Sequence, residues 1–256
     1  MSEQRLPMIE PQGGPGSQPP VEAEPSALRL IGTLAVAGAL AGLAIVLVFQ
    51  WAQPRIEAYQ ARVLAQAIAE VLGGPDHYET IFLEDGRLTR DPQADTAGLD
   101  RVYVGFDADE NPLGVAMVWE EAGFQDIIRL IFGYDPETDQ VLGMKVLESK
   151  ETPGLGDKIT KDSAFISEFS GVGTPLIGVK AGREKGLDQE VTMITGATIS
   201  SRAVIKIIND RLEMMKEPVQ AFWSAPGSVA AVNDGAAQDA AVAVGAGSAT
   251  PGGGGS

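Results

Sequence analysis

Residues 101–147 read RVYVGFDADENPLGVAMVWEEAGFQDIIRLIFGYDPETDQVLGMKVL, and this stretch decides the fold. Four runs rich in β-branched and aromatic residues stand out in it, Arg101–Phe106, Leu113–Trp119, Ile127–Tyr134 and Val141–Leu147. Between them lie Asp-Glu-Asn-Pro at 109–112 and Asp-Pro-Glu-Thr-Asp at 135–139, residues that favour tight turns. Connections this short join neighbouring strands as antiparallel hairpins.

Upstream, Pro54 opens the segment PRIEAYQARVLAQAIAEVL, in which Ile56, Tyr59, Val63, Ala67 and Val71 recur at helical spacing until Gly73-Gly74-Pro75 stops the helix. Downstream come a short helical stretch near Asp162–Phe169, a strand at Pro175–Lys180, and a helix from about Ser201 to Lys216 with Val204, Ile208, Leu212 and Met215 on one face. The predicted fold class is therefore α+β, a mainly antiparallel sheet with flanking helices.

From Leu30 to Phe49 no charged residue interrupts an apolar run, bounded by Arg29 before it and Trp51, Pro54 and Arg55 after it. At about 1.5 Å per residue such a run spans a hydrocarbon core of about 30 Å, so residues 28–51 are expected to form one N-terminal transmembrane helix rather than a buried core helix. The run exceeds the apolar region of a cleavable signal, and no small-residue cleavage site follows it. Gly38 and Gly42 form a GxxxG pattern that permits close helix packing. Positive charge gives no orientation, because Arg5 and Arg29 precede the span while Arg55 and Arg62 follow it. Residues 1–27 are rich in Pro, Gly, Gln and Glu, and residues 224–256 in small side chains without periodicity; both are expected to be disordered tails around a folded domain at 54–223.

Composition excludes several function classes. The formal charge is −16 with no basic run, which argues against nucleic acid as a partner. The chain has no cysteine and one histidine, His77, so iron–sulfur clusters, c-type haem attachment, disulfides and His/Cys metal sites lack their ligands. Any redox role needs an organic cofactor. His77, just past the helix stop, is expected at the surface rather than as a proton donor.

The chemistry-bearing segment is Thr192-Met193-Ile194-Thr195-Gly196-Ala197-Thr198-Ile199-Ser200-Ser201, which passes through Gly-Ala into the start of the last helix. Two readings fit these residues. One is a turn with an N-cap from Ser200 or Ser201. The other is a phosphate site, because Thr198 sits where free N–H groups and the helix dipole favour an anion, and small Gly196 and Ala197 admit another molecule. The loop Thr152-Pro153-Gly154-Leu155-Gly156-Asp157-Lys158 likewise reads either as an ordinary Gly/Pro turn or as backbone laid against a flat ligand. Glu120-Glu121 and Asp107, Asp109 and Glu110 read as solvated turn charges, and Trp119 and Phe124 as core residues.

The segment Thr195-Gly196-Ala197-Thr198-Ile199-Ser200 resembles the Ser/Thr-Gly-Ala-Thr signature of FMN-binding domains in the G-type subunit of the Rnf electron transport complex and in the C-type subunit of the sodium-pumping NADH:quinone reductase. The run Gly133-Tyr134-Asp135-Pro136 and Val146 to Ile159, with Glu151-Thr152-Pro153-Gly154-Leu155-Gly156-Asp157-Lys158, is similar to the Rnf protein in particular. Position 192 is Thr where many relatives carry Asp, and Asp188 and Glu190 lie out of register.

The resemblance covers about residues 28–216 and implies a cofactor, FMN, held covalently through a phosphoester at Thr198, with Thr195, Gly196 and Ala197 around it. Thr152, Gly154, Leu155, Gly156 and Lys158 are expected to pack beside that FMN, with Lys158 facing a phosphate or the charge of reduced flavin, and Trp119 and Phe124 could then stack near the ring. The resemblance further implies an electron-transfer subunit of an ion-translocating membrane oxidoreductase, of the Rnf ferredoxin:NAD⁺ type. Its partners would be iron–sulfur and multi-span flavin subunits, and a separate Mg²⁺-dependent flavin transferase would mature it. The domain would lie on the extracytoplasmic side of the bacterial inner membrane, beyond a single-pass anchor. A membrane-anchored flavin sensor or regulatory domain, and a cofactor-free assembly scaffold, are the competing functions. No residue is expected to be catalytic by itself, and no metal is expected.

Overall fold

The turns that the sequence marks are built by carboxylates. Asp107 Oδ1 accepts from Asp109 N at 2.9 Å and Asn111 N at 2.7 Å, folding β3 (Asp100–Phe106) back onto β4 (Pro112–Ala122). Asp135 does the same between β5 (Ile127–Asp135) and β6 (Gln140–Ser149), accepting from Glu137 N at 2.8 Å and Thr138 Oγ1 at 2.6 Å. Each is an Asx-type turn, in which a side chain replaces water on backbone N–H groups that the strands cannot satisfy.

The structure is a computed structural model and describes residues 26–225; the expected disordered arm at 1–27 and tail at 224–256 fall outside those residues except at their inner edges. Two units divide the chain between Ala52 and Gln53. In the first lies the apolar part of helix α1 (Ala27–Val71), exposed throughout and long and apolar enough to cross a membrane. Sequence reasoning ended one helix at about residue 51 and began another at Pro54, but helical structure continues through Pro54. An interior proline removes one N–H from the ladder and crowds the carbonyl four residues back, a local cost that this helix carries without ending.

In the second unit a seven-stranded antiparallel sheet has the order β2-β1-β3-β4-β5-β6-β7. Strands β1 (His77–Glu84) and β2 (Arg87–Thr89) went unread in the sequence, as did β7 (Val172–Gly173). The signal for the first pair is the dipeptide Asp85-Gly86, whose φ values of 49° and 76° make the two-residue hairpin turn. A separate parallel pair, β8 (Ile177–Lys180) with β9 (Glu190–Met193), departs from the antiparallel pattern.

Alternation sends Val115, Met117 and Trp119 of β4 to one face and Ala116 and Val118 to the other. The first face packs on helix α3 (Thr198–Ser224) through Val204, Ile208, Leu212 and Met215. The second packs on Ala67, Ile68 and Val71 at the end of α1, so close that a Cβ on Gly133 would stand 2.2 Å from Val71 O. Each fully buried large side chain, such as Phe132, adds about 1.5–3 kcal/mol.

Helix α3 starts three residues earlier and ends eight later than the sequence suggested, passing through Pro218. Its last turns are held by tertiary contacts: Val219 is buried, and Trp223 Nε1 donates to Glu137 Oε1 at 3.1 Å. Short helix α2 (Ser163–Ser167) is capped by Asp162, which accepts from Ala164 N and Phe165 N.

Candidate functional site

The chain enters α3 through a β-turn closed by Ala197 N donating to Ile194 O at 3.0 Å. The turn needs a left-handed residue, and Gly196 supplies it at φ 86° with open space where a Cβ would stand. Ser201, buried, ties turn to helix: its Oγ accepts from Ile194 N at 3.1 Å and donates to Ala197 O at 3.0 Å. Neither Ser200 nor Ser201 caps the helix. The N-cap is Ala197, which has no side-chain hydrogen bond to offer, and Thr198 is the first helical residue rather than the one before it.

The first turn of α3 therefore presents N–H groups that no side chain covers, at the positive end of a 27-residue helix. Thr195 and Gly196 are exposed and Thr198 is half-buried, and the Thr198 hydroxyl makes no hydrogen bond among the described residues. A tetrahedral anion linked to that hydroxyl would meet free donors instead of displacing existing bonds.

The loop after β6 lies against this helix end. Thr152 O accepts from Leu155 N and Asp157 N, and Gly154, at φ 78°, donates its N–H to Asp157 Oδ1 at 2.6 Å. Asp157 is held below the usual carboxylate range, first by its bond from Lys161. The chain then winds into a 3₁₀ turn, Gly156–Thr160. A Cβ on Gly156 would stand 2.8 Å from Ser200 Oγ, so loop and helix are in contact there. The structure thus brings the Thr152–Lys158 loop to the Thr195–Thr198 turn. Lys158 and Thr195 share an open groove of about 550 Å³ with Lys161, Phe165, Glu168 and Ile194. Thr192, where Asp was the expected type, donates its backbone N–H to Glu168 Oε2 at 2.7 Å.

One residue that sequence reasoning did not single out joins these parts. Glu151 is buried, 5% exposed; its Oε1 accepts from Phe124 N at 2.8 Å and Gln125 N at 3.1 Å, and its Oε2 receives Ser200 Oγ at 2.8 Å. Gln125 Oε1 in turn accepts from Thr152 Oγ1 at 2.8 Å. The β4–β5 loop, the loop after β6 and the start of α3 are one hydrogen-bonded assembly. Phe124, expected in the core, is instead 62% exposed, and Leu155 and Ile199 on the other two segments are 52% and 53% exposed.

Other expected positions lie apart from this assembly. Trp119 is partly buried under the Arg211 guanidinium, 4.8 Å from the ring centroid, and belongs to the core. His77 stacks on Phe106 at 5.1 Å with Glu110 3.4 Å away, at the start of β1. Glu121 is paired with Lys206, whose pKa is raised to about 12, foremost by its bond to Asp210 and then by Glu121.

The FMN-binding domain family matches residues 123–213, a span that contains the three joined segments. The G-type subunit of the ion-translocating oxidoreductase complex of Methanosarcina acetivorans is 28% identical over 187 residues, covering 72% of this chain and 92% of that protein. The corresponding protein of Erwinia tasmaniensis is 30% identical, covering 69% and 83%, and that of Salmonella typhimurium 33% identical, covering 58% and 72%. Among solved structures, the crystal structure of Shewanella oneidensis NqrC has the same fold, with a TM-score of 0.56 at 18% identity over 64% of this chain and 99% of that one.

Proposed function

This chain belongs to the family of G-type subunits of ion-translocating oxidoreductase complexes, and we propose that it serves such a complex by carrying an FMN esterified through its phosphate to Thr198. Members of the family are redox subunits of membrane translocases, and the apolar part of α1 suits membrane anchoring.

The observation that carries the covalent reading is the uncapped start of α3. A free hydroxyl on the first helical residue, uncovered N–H donors around it and the positive helix end together suit a phosphodiester at Thr198 better than they suit a structural turn. Gly196, in the adjoining turn, has open space where a Cβ would stand, and Lys158 offers a cation on the groove that Thr195 also lines.

Bound there, FMN supplies one- and two-electron redox chemistry. The chain's own residues bind and orient it. Phosphodiester attachment removes the dissociation equilibrium, which suits a domain on the extracytoplasmic face where no FMN pool refills it. A threonine hydroxyl needs a base to act as nucleophile, and the single histidine, His77, is committed to Phe106 and Glu110. Esterification therefore falls to a separate flavin transferase. The electron partners are iron–sulfur and multi-span flavin subunits of an Rnf-type complex, with residues 54–223 outside the inner membrane and the anchor crossing it once.

The test is the intact mass of the full chain purified from its own host, with in-gel flavin fluorescence after denaturation, for wild type and Thr198→Ala. A denaturation-resistant adduct of one FMN that the substitution removes is the expected result. An unmodified wild type from cells containing the transferase refutes covalent attachment.

A further inference from the structure

Glu151 is the one buried carboxylate among the described residues, and it has no cationic partner. Its three contacts are two backbone N–H groups and a hydroxyl. Burying a carboxylate without a counter-charge is costly, and a packed structure would bind the same loops together more cheaply with apolar side chains. The charge is placed at a particular spot. Through Ser200 it sits at the first turn of α3, at the end that begins with Thr198, and the helix dipole helps to hold it there.

We infer that Glu151 is a positioning residue whose fixed negative charge lowers the reduction potential of the flavin at Thr198. This rests on the attachment proposed above. Reduction adds negative charge to a flavin, and an anion held nearby in a poorly screened site opposes that charge. Oxidised flavin is favoured, and the reduced form becomes a stronger electron donor. The same carboxylate ties the loop at 123–126 to the helix, and Gln125 of that loop accepts from Thr152, so the charge and the site keep one geometry.

Glu151→Gln separates charge from geometry. Its amide oxygen accepts from Phe124 N and Gln125 N as before, and its amide nitrogen donates to Ser200 Oγ. Ser200→Ala keeps the charge and removes one hydrogen bond. Both are made in the full chain, purified in detergent from the native host, and each sample is measured for FMN adduct mass, thermal midpoint and flavin midpoint potential by spectroelectrochemical titration.

Loaded Glu151→Gln is expected to shift the reduced-to-oxidised ratio at fixed potential about tenfold toward reduced, the scale of unit charges roughly 10 Å apart at an effective dielectric near 20. For a two-electron couple this is about 30 mV more positive. Ser200→Ala should stay near wild type. An unchanged potential in loaded Glu151→Gln overturns the inference, as does an equal shift in Ser200→Ala, which would assign the effect to packing. If Glu151→Gln fails to load, Glu151→Asp decides: restored loading at the wild-type potential supports the charge, and no restoration refutes it. Wild type without any adduct overturns the attachment itself, a separate result read from the mass alone.

Discussion

Asp100 and Arg211, 111 residues apart in the chain, form a two-pronged ion pair that fastens α3 to β3. Arg211 is 1% exposed, its Nη2 lies 2.7 Å from Asp100 Oδ1, and its guanidinium covers Trp119. Asp100→Ala leaves that cation buried and unpaired. Because Asp100 itself is partly exposed, the expected loss is about 2–3 kcal/mol, just below the roughly 3–5 kcal/mol that breaking a fully buried pair costs. Urea unfolding followed by circular dichroism measures it, and a loss below about 0.5 kcal/mol would show that water substitutes for the carboxylate.

Thr198 and Thr195 flank the same turn but differ in exposure and in position on α3. Thr198→Ser should retain covalent flavin, because it keeps a hydroxyl at the first helical residue. Thr195→Ala should retain it too, whereas Thr198→Ala should lose it with a stability change below about 1 kcal/mol. Retention of an adduct in Thr198→Ala, located by peptide mass, would move the attachment point to another hydroxyl.

Gly156→Ala places a methyl group 2.4 Å from Glu151 Oε2 and 2.8 Å from Ser200 Oγ. Something must shift, and the loop is the part free to move. The expected cost is about 1–3 kcal/mol, with reduced flavin loading. Gly154→Ala differs in kind: it meets no atom within 4 Å but strains a residue at φ 78°, for about 1–2 kcal/mol and little effect on the neighbouring contact. Equal loading in both variants would show that the loop-to-helix contact is dispensable.

Asp139 joins Tyr134, Thr174 and Lys216, accepting from their side chains at 3.0, 2.5 and 2.7 Å. Burial works against its charged form, but the bonds from Lys216, Thr174 and Tyr134 outweigh burial and hold the carboxyl below its ordinary value. Tyr134 is pushed upward by burial first and then by Asp139, so it stays a donor well into alkaline solution. A carboxyl depressed on folding adds stability above its unfolded value near 4, and that stability is lost as pH falls through the folded value. Thermal midpoints between pH 5 and 2 should fall more steeply for wild type than for Asp139→Asn. Parallel slopes would remove Asp139 from the acid response.

The chain has no cysteine, so one introduced at exposed Asp91 is unique. In intact cells of the native host, Asp91→Cys should react with a membrane-impermeant thiol reagent, placing the domain outside. Labelling only after lysis would reverse the orientation.

How much of this was legible in the sequence depended on how local the cause is. The hairpins of β3 to β6 could be read because Asp107 and Asp135 fold the chain onto themselves within four residues. Strands β1 and β2 had the same kind of signal in Asp85-Gly86, but it lay in a segment rich in charge. The joining of α1 across Pro54 and the length of α3 past Pro218 escaped notice because proline marks a helix boundary only on average. The Thr-Gly-Ala-Thr turn and the Gly-rich loop were visible as motifs. Glu151 was not, since its partners lie 26, 27 and 49 residues away and Glu-Ser-Lys-Glu reads as surface. Arg211 escaped for the same reason. A buried charge is defined by long-range packing, which no short window contains.

The sheet ends in strands of only three and two residues, β2 and β7. Antiparallel sheets with long bare margins recruit further strands from other molecules, and brief margins give such recruits almost no backbone to pair with. Proteins tethered to one membrane meet repeatedly at high local concentration and in a common orientation. A domain whose outer strands stop so soon can be crowded in that way without growing into filaments.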